Sequence, residues 1–252
     1  MSKRFALVLL FALAGCAGAG TASDPDKAVA EAVEPSLRAA AAAEANRDHK
    51  GAIQHLSTLY QRRSDDKGIA VALARNLRYS GQAQNAADII QAQLTRLPND
   101  PDLLLELGKD YLAAERVALA IKALEQARAA TPDRWEAHAT LGVALDTQGR
   151  GPEALSAYGR AAQLSPDNPV VLNNLALSQA IGGRLDEALA TISRAADLPT
   201  ATAQVRQNLA LLLALKGDGA AAERLARHDL PPDMAKNNVE VLRALAVSST
   251  AR

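Results

Sequence analysis

The chain has 252 residues, with 28 Lys and Arg against 28 Asp and Glu and only 3% aromatic side chains. Balanced charge leaves no basic footprint for nucleic acid. Scarce aromatics and abundant alanine point away from one large globular core and towards helices stacked at close range.

Residues 1–15 open with Lys3 and Arg4, followed by an apolar stretch from Phe5 to Leu13. That stretch is too short for a permanent membrane span and has the layout of a secretory signal. Cys16 is the single cysteine of the chain, so it has no internal disulfide partner. Residues 16–32 are rich in Gly, Ala, Ser and Asp and read as a tether.

From residue 33 a period takes over. Alanine stands at Ala52, Ala86, Ala120, Ala154, Ala188 and Ala222, always 34 residues apart. In phase with it run Ala39, Leu73, Leu107, Leu141, Leu175 and Leu209. A small residue follows each of these, at Ala40, Ala74, Gly108, Gly142, Ala176 and Ala210. Pro98, Pro132 and Pro166 mark the joints. A period of about 34 residues in a helical sequence marks stacked helix–turn–helix units. Six units are expected, at 33–66, 67–100, 101–134, 135–168, 169–202 and 203–236. In the fourth, a first helix is expected over Trp135 to Thr147, a break at Gln148-Gly149-Arg150-Gly151, and a second helix to Leu164. Pro152 suits the first turn of that helix, where a missing N–H is harmless. The small residues belong where paired helices approach most closely.

Beyond the last unit, Asp229-Leu230-Pro231-Pro232-Asp233 is a stop followed by a helix start. Val239, Leu242, Leu245 and Ala246 recur at helical spacing, which predicts a capping helix over 232–246. Residues 247–252 are expected to fray. No catalytic constellation appears. His49, His55, His138 and His228 are dispersed, and no zinc-protease, phosphate-loop, nucleophile-elbow or dinucleotide motif is present. The expectation is no enzyme, no metal and no cofactor.

Leu141, Gly142, Leu145, Gly149, Ala154, Tyr158, Ala161 and Pro166 together resemble the tetratricopeptide repeat (TPR) pattern. The resemblance extends over residues 33 to 236, with degenerate end units. It implies an all-α, right-handed α-solenoid of about six helix–turn–helix units and a C-terminal capping helix. It also implies a concave face lined mainly by the first helix of each unit, at set repeat positions. Carried over residue by residue, those positions give Leu105, Lys109 and Leu112 in the third unit, and Glu136, Ala139, Thr140 and Val143 in the fourth. The fifth contributes Val170, Asn173, Asn174, Leu177 and Ile181, and the sixth Gln204, Gln207, Asn208, Leu211 and Leu215. Asn173-Asn174 and Gln207-Asn208 lie one period apart and should stack as a polar ladder beside Leu177 and Leu211. Amides can satisfy a bound peptide backbone while leucines take its apolar side chains. A clamp for a terminal carboxylate is not expected, because Lys109 and Arg75 alone do not make one.

Leu13-Ala14-Gly15-Cys16 resembles a bacterial lipobox, which implies lipidation of Cys16 and an anchor without a transmembrane helix. Ala17 in place of Asp favours the outer membrane within this resemblance, facing the periplasm. Lipobox, array length and the tail Asp229-Leu230-Pro231-Pro232 with Asn237-Asn238-Val239 and Leu242-Arg243 resemble the TPR lipoproteins of tight-adherence (Tad/Flp) pilus assembly. The implied partners are a secretin or other pilus and secretion components. Type IV pilus pilotins and adaptors for peptidoglycan hydrolases or synthases are the alternatives within the same envelope setting.

Overall fold

The computed structural model describes residues 25–238 and 240–241, with side-chain burial from residue 33. Residues 1–24, with the expected signal segment and Cys16, Val239 and residues 242–252 lie outside the described residues. Twelve α-helices follow one another, a further helical segment over 232–238 comes after them, and there is no strand among the described residues. The inner series is α1 (Pro25–Ala45), α3 (Lys67–Tyr79), α5 (Pro101–Ala113), α7 (Trp135–Thr147), α9 (Pro169–Ile181) and α11 (Ala203–Lys216). The outer series is α2 (His49–Arg62), α4 (Ala83–Leu94), α6 (Val117–Ala130), α8 (Gly151–Leu164), α10 (Leu185–Ala196) and α12 (Gly219–Ala226). Every helix packs on the next in sequence. In addition α3 touches α5, α5 touches α7, α7 touches α9 and α9 touches α11, whereas outer helices make no comparable contact with one another. The first helix of each unit therefore lines the inside of the curve, and the architecture is an α-solenoid.

The periodic residues explain the stack. All six comb alanines, Ala52, Ala86, Ala120, Ala154, Ala188 and Ala222, have no exposed surface. In interiors packed this closely, a branched side chain at any of them would have to displace its neighbours. Each unit also turns at one fixed position. Arg47, Gly81, Glu115, Gly149, Gly183 and Gly217 all have φ between +56° and +96°. The next N–H then reaches back five residues, from Asp48 to Ala43 at 2.8 Å and in the last unit from Asp218 to Leu213 at 3.0 Å. This closes the orphan carbonyls of the preceding helix. Glycine adopts that conformation freely; Arg47 and Glu115 adopt it at a cost of about 1 kcal/mol each. Helix starts are capped by Asp48, Asp66, Asp100, Asn168, Thr202 and Asp218, whose side chains accept backbone N–H groups.

Two expectations change at the ends. The tether expected through residue 32 gives way to helix from Pro25, so residues 25–32 are helical. The run from Asp26 to Glu34 is rich in strong helix formers. Val33, buried against Leu59 and Ile69, holds α1 to the array. At the other end, the Arg206 guanidinium grips Asp229 through two bonds, Nε to Oδ2 at 2.9 Å and Nη2 to Oδ1 at 2.6 Å. Those bonds hold the Asp229 carboxyl down at about 2. The clamp fixes the turn after α12, and residues 232–238 then form helix. Ala235, fully buried with Ala210, Ala214, Ala222 and Ala226, seals that end. Leu242, Leu245 and Ala246, expected on the same helix, lie outside the described residues.

Candidate functional site: the concave face

The inner helices present two chemically different halves. Over repeats four to six the face is aliphatic and amidic. Val143 (37%), Val170 (53%), Ile181 (80%) and Leu215 (40%) are exposed on α7, α9 and α11. Leu177 and Leu211 are half-buried between them, and Gln207 is exposed. Asn208 Nδ2 donates to Asn173 Oδ1 at 2.8 Å, and Asn173 Nδ2 donates to Asn174 Oδ1 at 3.2 Å. The expected polar ladder thus exists in three of its four members, and Gln207 stands outside it. A cleft of about 140 Å³ opens beside the ladder, lined by Val170, Asn173, Asn174 and Gln204 among others.

Two expected groove residues are corrected. Leu105 is only 1% exposed, locked into the large core cluster with Leu103, Leu104 and Leu107. Helix α5 is packed by α3, α4, α6 and α7, which leaves that position no open side. Ala139 is 7% exposed and packs with Ala161 and Val171 beside Trp135. Neither can line a groove. Lys109 remains on the face, half-buried, with its Nζ 2.7 Å from Glu106 Oε1.

Over repeats two and three the face is ionic. Lys67 bridges Asp100 and Asp102 at 2.9 and 2.8 Å, and Arg134 bonds Asp102 at 2.5 Å. The hydrogen bonds Lys67 donates to Asp102 and Asp100 raise its ammonium above its ordinary range, and those Asp102 accepts from Lys67 and Arg134 hold its carboxyl below its own. Deeper, Arg78 bonds Asp110 and, at 2.9 Å, Glu106. Asp110 is fully buried, and burial pushes its carboxyl up to about 7 despite the neighbouring guanidinium. Burial opposes ionisation of Glu106 as well, but Lys109 and Arg78 together hold it below the usual range.

These inner bridges follow a rule that sequence reasoning missed. Glu44 bonds Asn76, Arg78 bonds Asp110, and Asp146 bonds Ser178, each pair 32 residues apart on consecutive inner helices. Asn76, Asp110 and Ser178 occupy one register with Ala144 and Leu212, and all five are buried. A polar residue in an otherwise apolar register was the available signal. The structure also has a larger apolar cleft at the rim, about 760 Å³, where Ile181 faces Pro152 and Leu155 near the Gly149–Gly151 turn. His138, 7% exposed, is a packing residue, its Nε2 lying 2.8 Å from the Pro132 carbonyl oxygen. Among the described residues no cluster of His, Cys, Asp and Glu is arranged to hold a metal ion.

Residues 105–169 match the family model described as tetratricopeptide repeat. The fold is a TPR solenoid. A TPR protein from Thermus thermophilus, TTC0263, is 24% identical, with a TM-score of 0.57 over 72% of this chain and 99% of its own. The Pseudomonas aeruginosa protein pilF is 14% identical, with a TM-score of 0.66 over 85% of this chain and 99% of its own. MamA is 22% identical, with a TM-score of 0.53 over 68% of this chain and 96% of its own. No curated protein sequence matches the chain. TPR arrays of this kind present an extended inner surface to protein partners.

Proposed function

We propose that the chain is a non-enzymatic protein-interaction scaffold, held in the bacterial envelope by lipid on Cys16, that assists assembly or localisation of the Tad/Flp pilus secretion machinery. One observation carries the interaction role. Of the large aliphatic side chains exposed among the described residues, Val143, Val170, Ile181 and Leu215 gather on three consecutive inner helices beside an amide ladder. Exposed aliphatic side chains on consecutive inner helices are what a surface covered by a partner would present. A bound protein segment would cover the aliphatic row and exchange backbone hydrogen bonds with the amides. Lipobox, array length and the Asp229 tail support the pilus reading, with a secretin or another pilus component as partner. A type IV pilus pilotin-like role is the second reading, and the fold shared with pilF over 85% of this chain is compatible with it.

Photocrosslinking in the native cell from Leu177, with a control probe at the exposed Lys122 on outer helix α6, tests the groove and the partner together. Capture of a secretin or pilus subunit from Leu177 and not from Lys122 is the expected result. Capture of cell-wall enzymes would replace the pilus reading with a peptidoglycan-adaptor role. Equal capture from both probes would remove the groove.

The anchor has its own test. Cys16→Ser should leave the array folded and release it from the outer-membrane fraction; a variant that still sediments with that fraction would end the lipid reading.

A further inference from the structure

Resting on the groove reading above, we propose that the concave face is graded, and that it takes a protein segment with acidic residues at one end and aliphatic residues at the other. The acidic end lies over repeats two and three. Arg75, Lys109, Val143, Leu177 and Leu211 stand 34 residues apart on α3, α5, α7, α9 and α11. Because those helices touch in that order, the five side chains mark one line along the inner face. The line changes from cationic to aliphatic between the third and fourth repeats.

The two ends differ in their clefts as well. The cleft between α3 and α5, about 440 Å³, is lined by Lys67, Arg75 and Arg134 together with Asp102 and Glu106. Lys67 and Arg134 are committed to acidic neighbours. Arg75 is exposed and has no hydrogen-bond or ion-pair partner among the described residues. An incoming carboxylate would therefore meet one unspent cation, Arg75, beside two that are already paired. The cleft between α9 and α11 carries no charged side chain at all. The chain's own segments outside the described residues do not suit this surface. Residues 242–252 carry Arg243 and Arg252 and no acid, and residues 1–24 carry one acid, Asp24. Charge complementarity points instead to a separate protein segment.

Helices in contact lie about 8–10 Å apart, so the line spans about 40 Å, the reach of about 12 extended residues. The probes are synthetic peptides of about that length, titrated against the full chain in detergent by fluorescence anisotropy. One has Asp and Glu at one end and Leu, Val and Ile at the other. A second has the acids replaced by Ser, and a third by Lys, each made in both chain directions. The acidic–aliphatic peptide should bind about tenfold tighter than the Ser peptide at low salt, with the advantage shrinking as salt rises. Arg75→Glu should erase that advantage, leave the Ser peptide unchanged, and favour the Lys peptide. Since Arg75 is exposed and unpartnered, the variant's melting point should match that of the parent.

Equal binding of the acidic and Ser peptides, or no response to Arg75→Glu, would overturn the gradient. If binding in that case still fell with Leu177→Asp, the groove itself would stand. No binding by any probe, or binding indifferent to Leu177→Asp, would overturn gradient and groove together.

Discussion

Replacing Arg78 by methionine is expected to destabilise the array by about 3–5 kcal/mol above about pH 7, where Asp110 would be left as an uncompensated buried charge, and by less where that carboxyl is protonated. The side chains of Arg78, Glu106 and Asp110 are 11%, 10% and 0% exposed. Without the guanidinium, Glu106 keeps Lys109, but Asp110 keeps no cation and its Oδ2 already lacks a hydrogen-bond partner. The stability of the parent should itself depend on pH in a definite direction, and the Arg78→Met loss should grow as pH rises. Burial sets the folded-state value of the Asp110 carboxyl at about 7, above its ordinary 3.8. The folded state therefore holds the proton more tightly than the unfolded chain does. The contribution is fully present below about pH 4 and is lost as pH rises through about 7. Glu106, held low by Lys109 and Arg78, acts in the opposite sense at acidic pH, so the fall is best read from about pH 5 upwards. Urea melts of the parent and Arg78→Met at several pH values between about 5 and 8 provide the measurement. Adding Asp110→Asn should return part of the loss, because no carboxylate is then left buried. Equal melts at every pH would mean that the inner network contributes nothing.

Gly142→Leu should cost about 3 kcal/mol, the upper part of the range for overpacking a close contact. A Cβ at Gly142 would lie 2.6 Å from Tyr158 Cε1 and 2.8 Å from its Cδ1. Tyr158 is 3% exposed, and its ring would have to shift to admit that Cβ. Improved helix propensity offsets at most about 1 kcal/mol of this. Gly159 supplies the control. A Cβ there meets nothing within 4 Å, so Gly159→Ala should gain up to about 1 kcal/mol from propensity alone. The pair separates a close approach between helices from the general effect of glycine in a helix. A Gly142→Leu protein melting with the parent would show that α7 and α8 do not meet at that point.

The solenoid was legible because its period is written in small residues, and small residues have one physical use where helices pair. The comb alanines are fully buried, and the register that locates them also locates the turns. The turn at Glu115 was hidden, because a left-handed position filled by a charged residue looks like any exposed site. The groove was half legible. Repeat positions tell which side of an inner helix faces the curve, but not whether neighbouring helices cover it, which is why Leu105 and Ala139 were misplaced. The polar rungs escaped because their 32-residue spacing falls off the 34-residue comb. The start of α1 escaped because Val33 is the first buried residue among those whose side chains are described, and it lies off the 34-residue comb.

The six buried alanines also have a consequence for shape. The gap each one permits between its paired helices fixes how far one unit rotates relative to the next, and a solenoid accumulates that small rotation along its length. The superhelical pitch, and with it the width of the inner face between repeats two and six, is therefore set in part by buried methyl groups. A family of such arrays can be tightened or opened by changing core volume alone, leaving every recognition residue in place.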